Sequence, residues 1–139
     1  HGLVDIKHRI MMLKFFENDK IQVDTEHNKY IYTYELLNKL KDKYKNDELI
    51  LIMGADNLVK FHKWKNYREL LKNKIIVFNR DDIDTSMYIN KLGKNKFVVI
   101  HDYVSIPISS SMIRENLNNK FLDKRVLNYI KKYHLYQKK

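Results

Sequence analysis

The sequence predicts an α/β fold in which helices flank a parallel sheet, and three observations support this. Apolar runs of strand length recur along the chain, at residues 49–53, 75–78 and 97–100. Segments with helical spacing separate them, and strands that alternate with helices are typical of a parallel sheet with right-handed crossovers. The first run is continuously apolar, which suits a strand covered on both faces. A chain of 139 residues, 44% of them hydrophobic, is expected to form one domain, residues 1–139.

Elements in the first half of the chain follow from apolar spacing. Ile6, Ile10 and Leu13 recur every three or four residues, as on one face of a helix. The predicted elements are an amphipathic helix at 5–17, a short strand at Ile21–Val23, a helix at 31–45, the strand at 49–53 and a short helix through Leu58 and Phe61.

In the second half the same spacing predicts helices between the remaining strands. The segment 81–95, with two adjacent acids, Gly93 and several Asn, favours a loop or a weak helix. The other predicted elements are a helical turn at 67–71, the strands at 75–78 and 97–100, a helix at Met112–Leu117, and a last helix at 123–133 that turns Val126, Leu127, Ile130 and Tyr133 inward.

Composition excludes several classes of protein. Without Cys the chain has neither disulfides nor thiolate chemistry, which is compatible with a cytoplasmic protein. No apolar run approaches the ~20 residues of a membrane span. The net charge of +10 comes from scattered lysines, so we expect no membrane partner and no dedicated nucleic-acid partner. A basic field would still favour the approach of a phosphate-bearing substrate.

Polar residues follow the strands at three places. They are Gly54-Ala55-Asp56, Asn79-Arg80 and the serine cluster, Ser109 to Ser111, with Arg114 one turn further on. Ligands of open α/β sheets bind beyond the carboxyl ends of the strands. We therefore expect these groups to line one shared crevice.

Each candidate also has a purely structural interpretation. Gly54 and Asp56 could contact a ligand or could form only a strand exit and a helix cap, and the two interpretations are equally favoured. A helix cap is favoured for the serine cluster and for Thr33. Trp64 is more often a core residue than an exposed ring that stacks on a ligand. His8-Arg9 could bind a phosphate, although such residues on an amphipathic helix are more often solvated or ion-paired.

Several catalytic motifs are absent from the sequence. The chain lacks a Gly-x-Ser-x-Gly elbow, a phosphate loop and a Gly-x-Gly-x-x-Gly fingerprint, and it has only three glycines. Its histidines show no metal-ligand spacing.

Taken together, the ordered segments resemble the bacterial nicotinate-mononucleotide adenylyltransferases. The likeness extends over essentially the whole chain. The segments that carry it are His8-Arg9 with Met12-Leu13, Tyr32-Thr33, Gly54 to Leu58 with Phe61, Trp64, Tyr67, Leu70 and Leu71, Val77 to Arg80, Ile108 to Arg114, and the ending Val126, Tyr129-Ile130 and Leu135-Tyr136.

The resemblance implies a Rossmann-like nucleotidyltransferase fold and transfer of AMP from ATP to nicotinate mononucleotide, with Mg²⁺ shielding the phosphates. By position, it implies that Trp64 stacks on the nicotinate ring, that Thr33 hydrogen-bonds near it, and that Arg80 holds a substrate phosphate. Contacts to ATP are implied for Gly54 and Asp56 at the adenosine, and for Ser109, Ser110, Ser111 and Arg114 at the phosphates.

The chain departs from the family pattern at its start. The family's first strand and its Gly-x-Phe-x-Pro-x-His-x-Gly-His segment have no match here, so we expect an N-terminally incomplete fold without its βα beginning and assign no catalytic residue. His1-Gly2 is interpreted as the remains of a later Pro-Pro-His-Lys stretch. Ile31, Glu35 and Ser111 stand where the family pattern has Ser, Asp and Thr, and these replacements are mild.

Two alternatives stay open at this point. One is pantetheine-phosphate adenylyltransferase, which shares a Ser-Ser-x-x-x-Arg type of signature, although Trp64 and the Leu-Tyr ending argue against it. The other is a non-catalytic basic α/β domain that binds nucleotides or RNA. Homo-oligomer formation is also left open.

Overall fold

A computed structural model describes residues 3–104, 106–117 and 120–137. His1 and Gly2, on which the interpretation of the chain's start rests, lie outside the described residues. The chain divides into two compact units, one comprising residues 1–26 and 106–139 and the other residues 27–105. We call the first the helical unit and the second the sheet unit.

Helices make up the largest part of the regular secondary structure in the described residues, and the strands are short and lie in the sheet unit. The strands are β1 (Ile50–Gly54), β2 (Lys74–Phe78) and β3 (Phe97–Ile100). The α-helices are α1 (Ile6–Lys14), α2 (Thr33–Lys43), α3 (Ala55–Lys60), α4 (Tyr67–Leu70), α5 (Thr85–Leu92), α6 (Ser110–Glu115) and α7 (Lys124–Lys132), with 3₁₀ turns at Phe61–Lys63 and Lys94–Lys96.

The three described strands form a parallel sheet in the order β1-β2-β3. Gly54 pairs with Phe78, and Phe78 pairs with Ile100, so the carboxyl ends of all three strands stand level. This confirms the predicted parallel sheet flanked by helices. It also aligns the loops that follow the strands along one edge.

One face of the sheet carries the core of the sheet unit. Met53, Ile75 and Val77 are buried there, among apolar residues of the helices and the 3₁₀ turn: Leu37, Ala55, Leu58, Phe61, Leu70 and Ile89. The opposite face behaves differently, since Ile52 is 61% exposed and Phe78 and Val98 are also exposed. The expectation that the first strand is covered on both faces is therefore wrong for the described residues. The helices that supply core residues pack against the face that carries Met53, Ile75 and Val77.

The structure differs from the predicted strand at residues 21–23, and at 81–95 it contains the helix that was one of the two predicted alternatives. Ile21–Val23 is not a strand, because Asn18 closes a tight turn in which its Oδ1 accepts from the backbone N–H groups of Lys20 (2.8 Å) and Ile21 (2.9 Å). Only an isolated bridge joins Asn18 to Ile21. The segment 81–95 contains α5, because the Asp84 carboxylate caps its first turn and Ile89 joins the core.

The helical unit contains α1, α6 and α7. Asp5 and Asp123 cap α1 and α7 by accepting backbone N–H bonds, as acids at a helix N-cap commonly do. Ile130 faces inward as predicted, whereas Tyr133 is 45% exposed because it ends the helix and its ring lies beside His8 and Tyr129. In the described part of the chain, no helix is both long and apolar enough to cross a membrane.

Candidate active site

The exit of β1 supplies Gly54 and Asp56. Gly54 ends the strand and caps α3 with an ordinary backbone conformation, φ −79°. A Cβ at this position would lie 2.6 Å from the Asp56 Oδ1, so a larger residue would require the exposed Asp56 side chain to move. The Asp56 side chain is exposed in the first turn of α3. The Asp56 carboxylate therefore lies beside the backbone of Gly54, which has no side chain, and this arrangement permits close approach of a ligand.

Arg80 follows β2 on the same edge of the sheet. The backbone N–H of Asn79 donates to the carbonyl of Ile100 at 3.0 Å, which continues the ladder one residue past the strand. The Tyr103 hydroxyl donates to the Asn79 carbonyl. Arg80 itself is exposed, and its Nε lies 3.4 Å from Asp82 Oδ1. The level strand ends therefore place Gly54–Asp56 and Asn79–Arg80 along one edge, as their order in the sequence predicts.

Trp64 is partly a core residue and partly exposed. The ring is half-buried and packs against the core, with its centroid 5.3 Å from that of Phe61. Its loop is held by a turn, in which the Trp64 N–H donates to the Phe61 carbonyl at 3.0 Å, and by Asn66 in the left-handed region at φ 53°. Asn tolerates that region better than most residues. The result is a fixed indole that leaves part of its surface open.

The start of α2 lies beside this loop. Lys65 Nζ lies 4.5 Å from the centroid of the Tyr32 ring, which is a cation–π contact. Lys65 follows Trp64 and Tyr32 precedes Thr33, so this contact links the Trp64 loop to the start of α2. Thr33 is the first helical residue, and the cap residue is Tyr32, which makes no side-chain capping bond. The interpretation of Thr33 as the cap is therefore wrong. Sequence reasoning missed the Lys65–Tyr32 contact. The two residues lie in different segments of the chain, and no sequence pattern indicates that they meet.

The serine cluster lies in the helical unit. Ser109 is the N-cap of α6, and its Oγ accepts from the Met112 N–H at 3.2 Å, so the predicted cap is confirmed for this residue. The helix starts earlier than the predicted Met112 because of this cap. Ser110 and Ser111 form its exposed first turn, and Arg114 Nη2 donates to Ser111 Oγ at 3.4 Å. Two hydroxyls and a guanidinium are thus presented together.

His8 is engaged within the helical unit. Its Nδ1 lies 3.0 Å from the Tyr129 hydroxyl, and its ring stands between Tyr129 and Tyr133 at centroid distances of 5.7 and 5.2 Å. Loss of solvent and the neighbouring Tyr133 raise the pKa of Tyr129. These contacts join α1 to α7, so His8 has a structural role. His8 and Tyr129 are separated by 121 positions in the sequence, and no local sequence pattern predicts their contact.

Comparison with known proteins places the chain in a family. A family model described as cytidylyltransferase-like matches residues 1–116. A curated Clostridium perfringens protein named "Probable nicotinate-nucleotide adenylyltransferase" is 33% identical over 146 residues, which cover 96% of this chain and 70% of that protein. The chain belongs to the nicotinate-nucleotide adenylyltransferase family. This confirms the resemblance described above.

Further members of the adenylyltransferase family agree. A protein of the same name from Flavobacterium psychrophilum is 40% identical over 115 residues, which cover 77% of this chain and 58% of that protein. Among solved structures, Plasmodium falciparum nicotinic acid mononucleotide adenylyltransferase complexed with APC has a TM-score of 0.77 and 25% identity, over 98% of this chain and 78% of that one. Its complex with NaAD gives a TM-score of 0.76, with 26% identity over 98% and 76% of the two chains. The predicted Rossmann-like fold is confirmed.

The described part of this adenylyltransferase chain has no group of three or more His, Cys, Asp or Glu side chains placed to hold a metal ion. Mg²⁺ does not require such a cage, because it commonly binds through substrate phosphates, waters and one or two carboxylates.

Proposed function

We propose that this chain binds ATP and nicotinate mononucleotide as part of a cytoplasmic enzyme that joins AMP to the mononucleotide, giving deamido-NAD and pyrophosphate in NAD biosynthesis. The observation that carries the proposal is the level edge of the parallel sheet, since Gly54 and Asp56 follow the end of β1 and Arg80 follows the end of the adjacent β2. The names of the relatives support the same reaction, and they favour it over pantetheine-phosphate adenylyl transfer and over a basic RNA-binding domain.

The nicotinate mononucleotide would use the Trp64 loop. The half-buried indole, fixed against Phe61, offers a flat face on which the nicotinate ring stacks. Thr33, at the start of α2 beside this loop, would donate its hydroxyl near the ring. Arg80 would hold the phosphate with its guanidinium fork, exchanging its exposed contact with Asp82 for the substrate.

ATP would meet two groups of residues. Gly54 and Asp56 would contact the adenosine, with the carboxylate accepting from its hydroxyl groups. Ser109, Ser110, Ser111 and Arg114 would hold the phosphates through hydroxyl and guanidinium donors. Mg²⁺ would bind the phosphate oxygens of ATP and neutralise part of their charge.

The reaction needs no covalent enzyme intermediate. A phosphate oxygen of the mononucleotide attacks the α-phosphorus of ATP, the bond from that phosphorus to the bridging oxygen breaks, and pyrophosphate leaves with the electron pair. Such a transfer depends on positioning the two phosphates and on stabilising their charge. The residues named above position the reactants and supply positive charge, and we assign none of them as an acid or base.

Binding by calorimetry tests the proposal. Nicotinate mononucleotide should bind the intact chain saturably, and Trp64→Ala should weaken binding by roughly tenfold or more, the usual value of stacking on an aromatic side chain. Trp64→Phe should retain most of the affinity. His62→Ala changes an exposed neighbour and serves as the control.

Competing ligands make the test selective. Pantetheine phosphate and a single-stranded RNA should bind more weakly than nicotinate mononucleotide. Equal affinity for the mononucleotide in the wild type and in a folded Trp64→Ala variant would refute the assigned ring site. Tight RNA binding with a steep salt dependence would instead favour the basic-domain alternative.

A further inference from the structure

The turn that follows Trp64 places Lys65 at its tip. The Trp64 N–H donates to the Phe61 carbonyl at 3.0 Å, and the Tyr67 N–H donates to the Trp64 carbonyl at 3.1 Å. Lys65 and Asn66 are the two residues enclosed by this second bond, and both are exposed. Local hydrogen bonds therefore fix the two ends of the turn, while the position of its tip depends on what the Lys65 side chain contacts.

The Lys65 side chain contacts a helix that is fixed in the core. Its Nζ lies 4.5 Å from the centroid of the Tyr32 ring. Tyr32 is held to α2 because its carbonyl accepts from the N–H groups of Glu35 and Leu36, each at 3.2 Å. Leu37, the next residue of α2, is buried in the core of the sheet unit. The contact thus joins the exposed tip of a turn to an anchored helix.

The Lys65–Tyr32 contact spans the two side chains assigned to the nicotinate ring. Trp64 precedes Lys65, and Thr33 follows Tyr32. The start of α2 has no side-chain capping bond at Tyr32, so this residue is available for the contact with the turn. A cation–π contact holds the ammonium group close to the ring, which limits the separation of the two chain segments. A loop that is already held in its binding position costs less to order when a ligand arrives.

We propose that Lys65 and Tyr32 form a clamp that positions Trp64 and Thr33 for the nicotinate ring. Both are positioning residues, which act on the ligand through the separation of the turn and α2. Their effect on ring binding rests on the proposed function, whereas the clamp itself is a property of the ligand-free chain. A cation–π contact at an exposed site is a modest interaction, so its loss should loosen the turn and leave the sheet unit folded.

Fluorescence tests the clamp in the absence of a ligand. Trp64 is the only tryptophan of the chain, so its emission reports this turn alone. Lys65→Met and Tyr32→Leu should each raise the quenching of Trp64 by acrylamide. Lys65→Arg and Tyr32→Phe keep a cation beside an aromatic ring and should be quenched as the wild type is. Lys63→Met removes the same charge from an exposed position two residues away and is the matched control.

Calorimetry with nicotinate mononucleotide tests the effect on binding. Lys65→Met and Tyr32→Leu should each weaken binding by about two- to fivefold, the range expected for one exposed cation–π contact. The double variant should bind no more weakly than either single variant, because both substitutions remove the same contact. Lys65→Arg, Tyr32→Phe and Lys63→Met should bind as the wild type does.

Several outcomes would overturn the clamp. One is unchanged quenching in both Lys65→Met and Tyr32→Leu. Another is additive loss of binding in the double variant, since Lys65 would then act on the ligand independently of Tyr32. A third is a lower unfolding temperature that Lys65→Arg and Tyr32→Phe do not restore, because the pair would then stabilise the fold and not position the ring. If the quenching results are as expected but nicotinate mononucleotide does not bind the wild-type chain, the proposed function fails while the clamp stands.

Discussion

The sheet unit and the helical unit are stabilised by different interactions. Of the eleven buried hydrophobic residues in the described chain, nine lie in the sheet unit, and only Ile130 and Leu135 lie in the helical unit. Burial of apolar surface is the largest favourable contribution to folding. The sheet unit therefore has a hydrophobic core in the usual sense, and the helical unit must rely more on other contacts.

Polar and aromatic contacts connect the distant segments of the helical unit. Arg125 Nη1 donates to the Phe15 carbonyl at 2.6 Å, and its guanidinium lies 5.1 Å from the centroid of the Phe16 ring. His8 and Tyr129 join the same two segments. A unit held in this way can keep a cavity between its helices, whereas the close-packed core of the sheet unit instead fixes the position of the strand ends.

The largest expected effect is from truncation in the core of the sheet unit. Phe61 is fully buried, so Phe61→Ala should lower the free energy of unfolding by about 3–5 kcal/mol through lost burial and a new cavity. Urea unfolding followed by circular dichroism measures this loss. His62→Ala, at the exposed next position, should change stability by less than about 0.5 kcal/mol.

The corresponding change in the helical unit should be smaller. Ile130 is buried but also borders the cavity between the helices, of about 590 Å³, so its side chain is not packed on all sides. Ile130→Ala should therefore cost about 2 kcal/mol, the lower end of the usual range, in the same urea experiment. A loss as large as that of Phe61→Ala would show that the two units are packed alike.

A third effect concerns the cap of α6. Ser109→Ala removes the acceptor for the Met112 N–H and should destabilise this helix by about 1 kcal/mol. Ser109→Asn keeps a capping oxygen and is the control. Hydrogen exchange at the Met112 amide reports the change directly, and unchanged protection in Ser109→Ala would mean that the hydroxyl contributes nothing to the helix.

The smallest expected effect is a pH dependence of stability, which arises in each unit from the Asp side chain that caps one helix. Hydrogen bonds from Ser86 lower the pKa of Asp84 in the sheet unit, and those from Arg125 lower that of Asp123 in the helical unit. A carboxyl with a lowered pKa in the folded state stabilises the fold above its unfolded pKa, about 3.9, and that contribution is lost as the pH falls through the folded value.

Asn caps a helix without titrating, which gives a control for each unit. Thermal unfolding of Asp84→Asn and Asp123→Asn between neutral pH and the acid range should show a weaker decline than the wild type. The two effects should be similar because neither carboxyl group is buried. A decline as steep as that of the wild type in both variants would assign the acid sensitivity to other groups.

Sequence reasoning was most successful where a local pattern has one physical cause. The three apolar runs became the three described strands, and one face of the sheet supplies Met53, Ile75 and Val77 to the core. Their alternation with helices predicted the parallel order. The predicted strand at Ile21–Val23 failed because a single side chain, Asn18, closes a turn there, and the choice between loop and helix at 81–95 depended on the Asp84 cap of α5.

The sequence by itself determined the family, the parallel sheet and the order of Gly54–Asp56, Trp64, Arg80 and the serine cluster along the chain. Only the tertiary structure decided which face of the sheet is packed and how Trp64 is fixed against Phe61. Periodicity reports which side chains share a face of one element. Burial and hydrogen-bond pairing depend on which elements meet, and that depends on contacts between residues far apart in the chain.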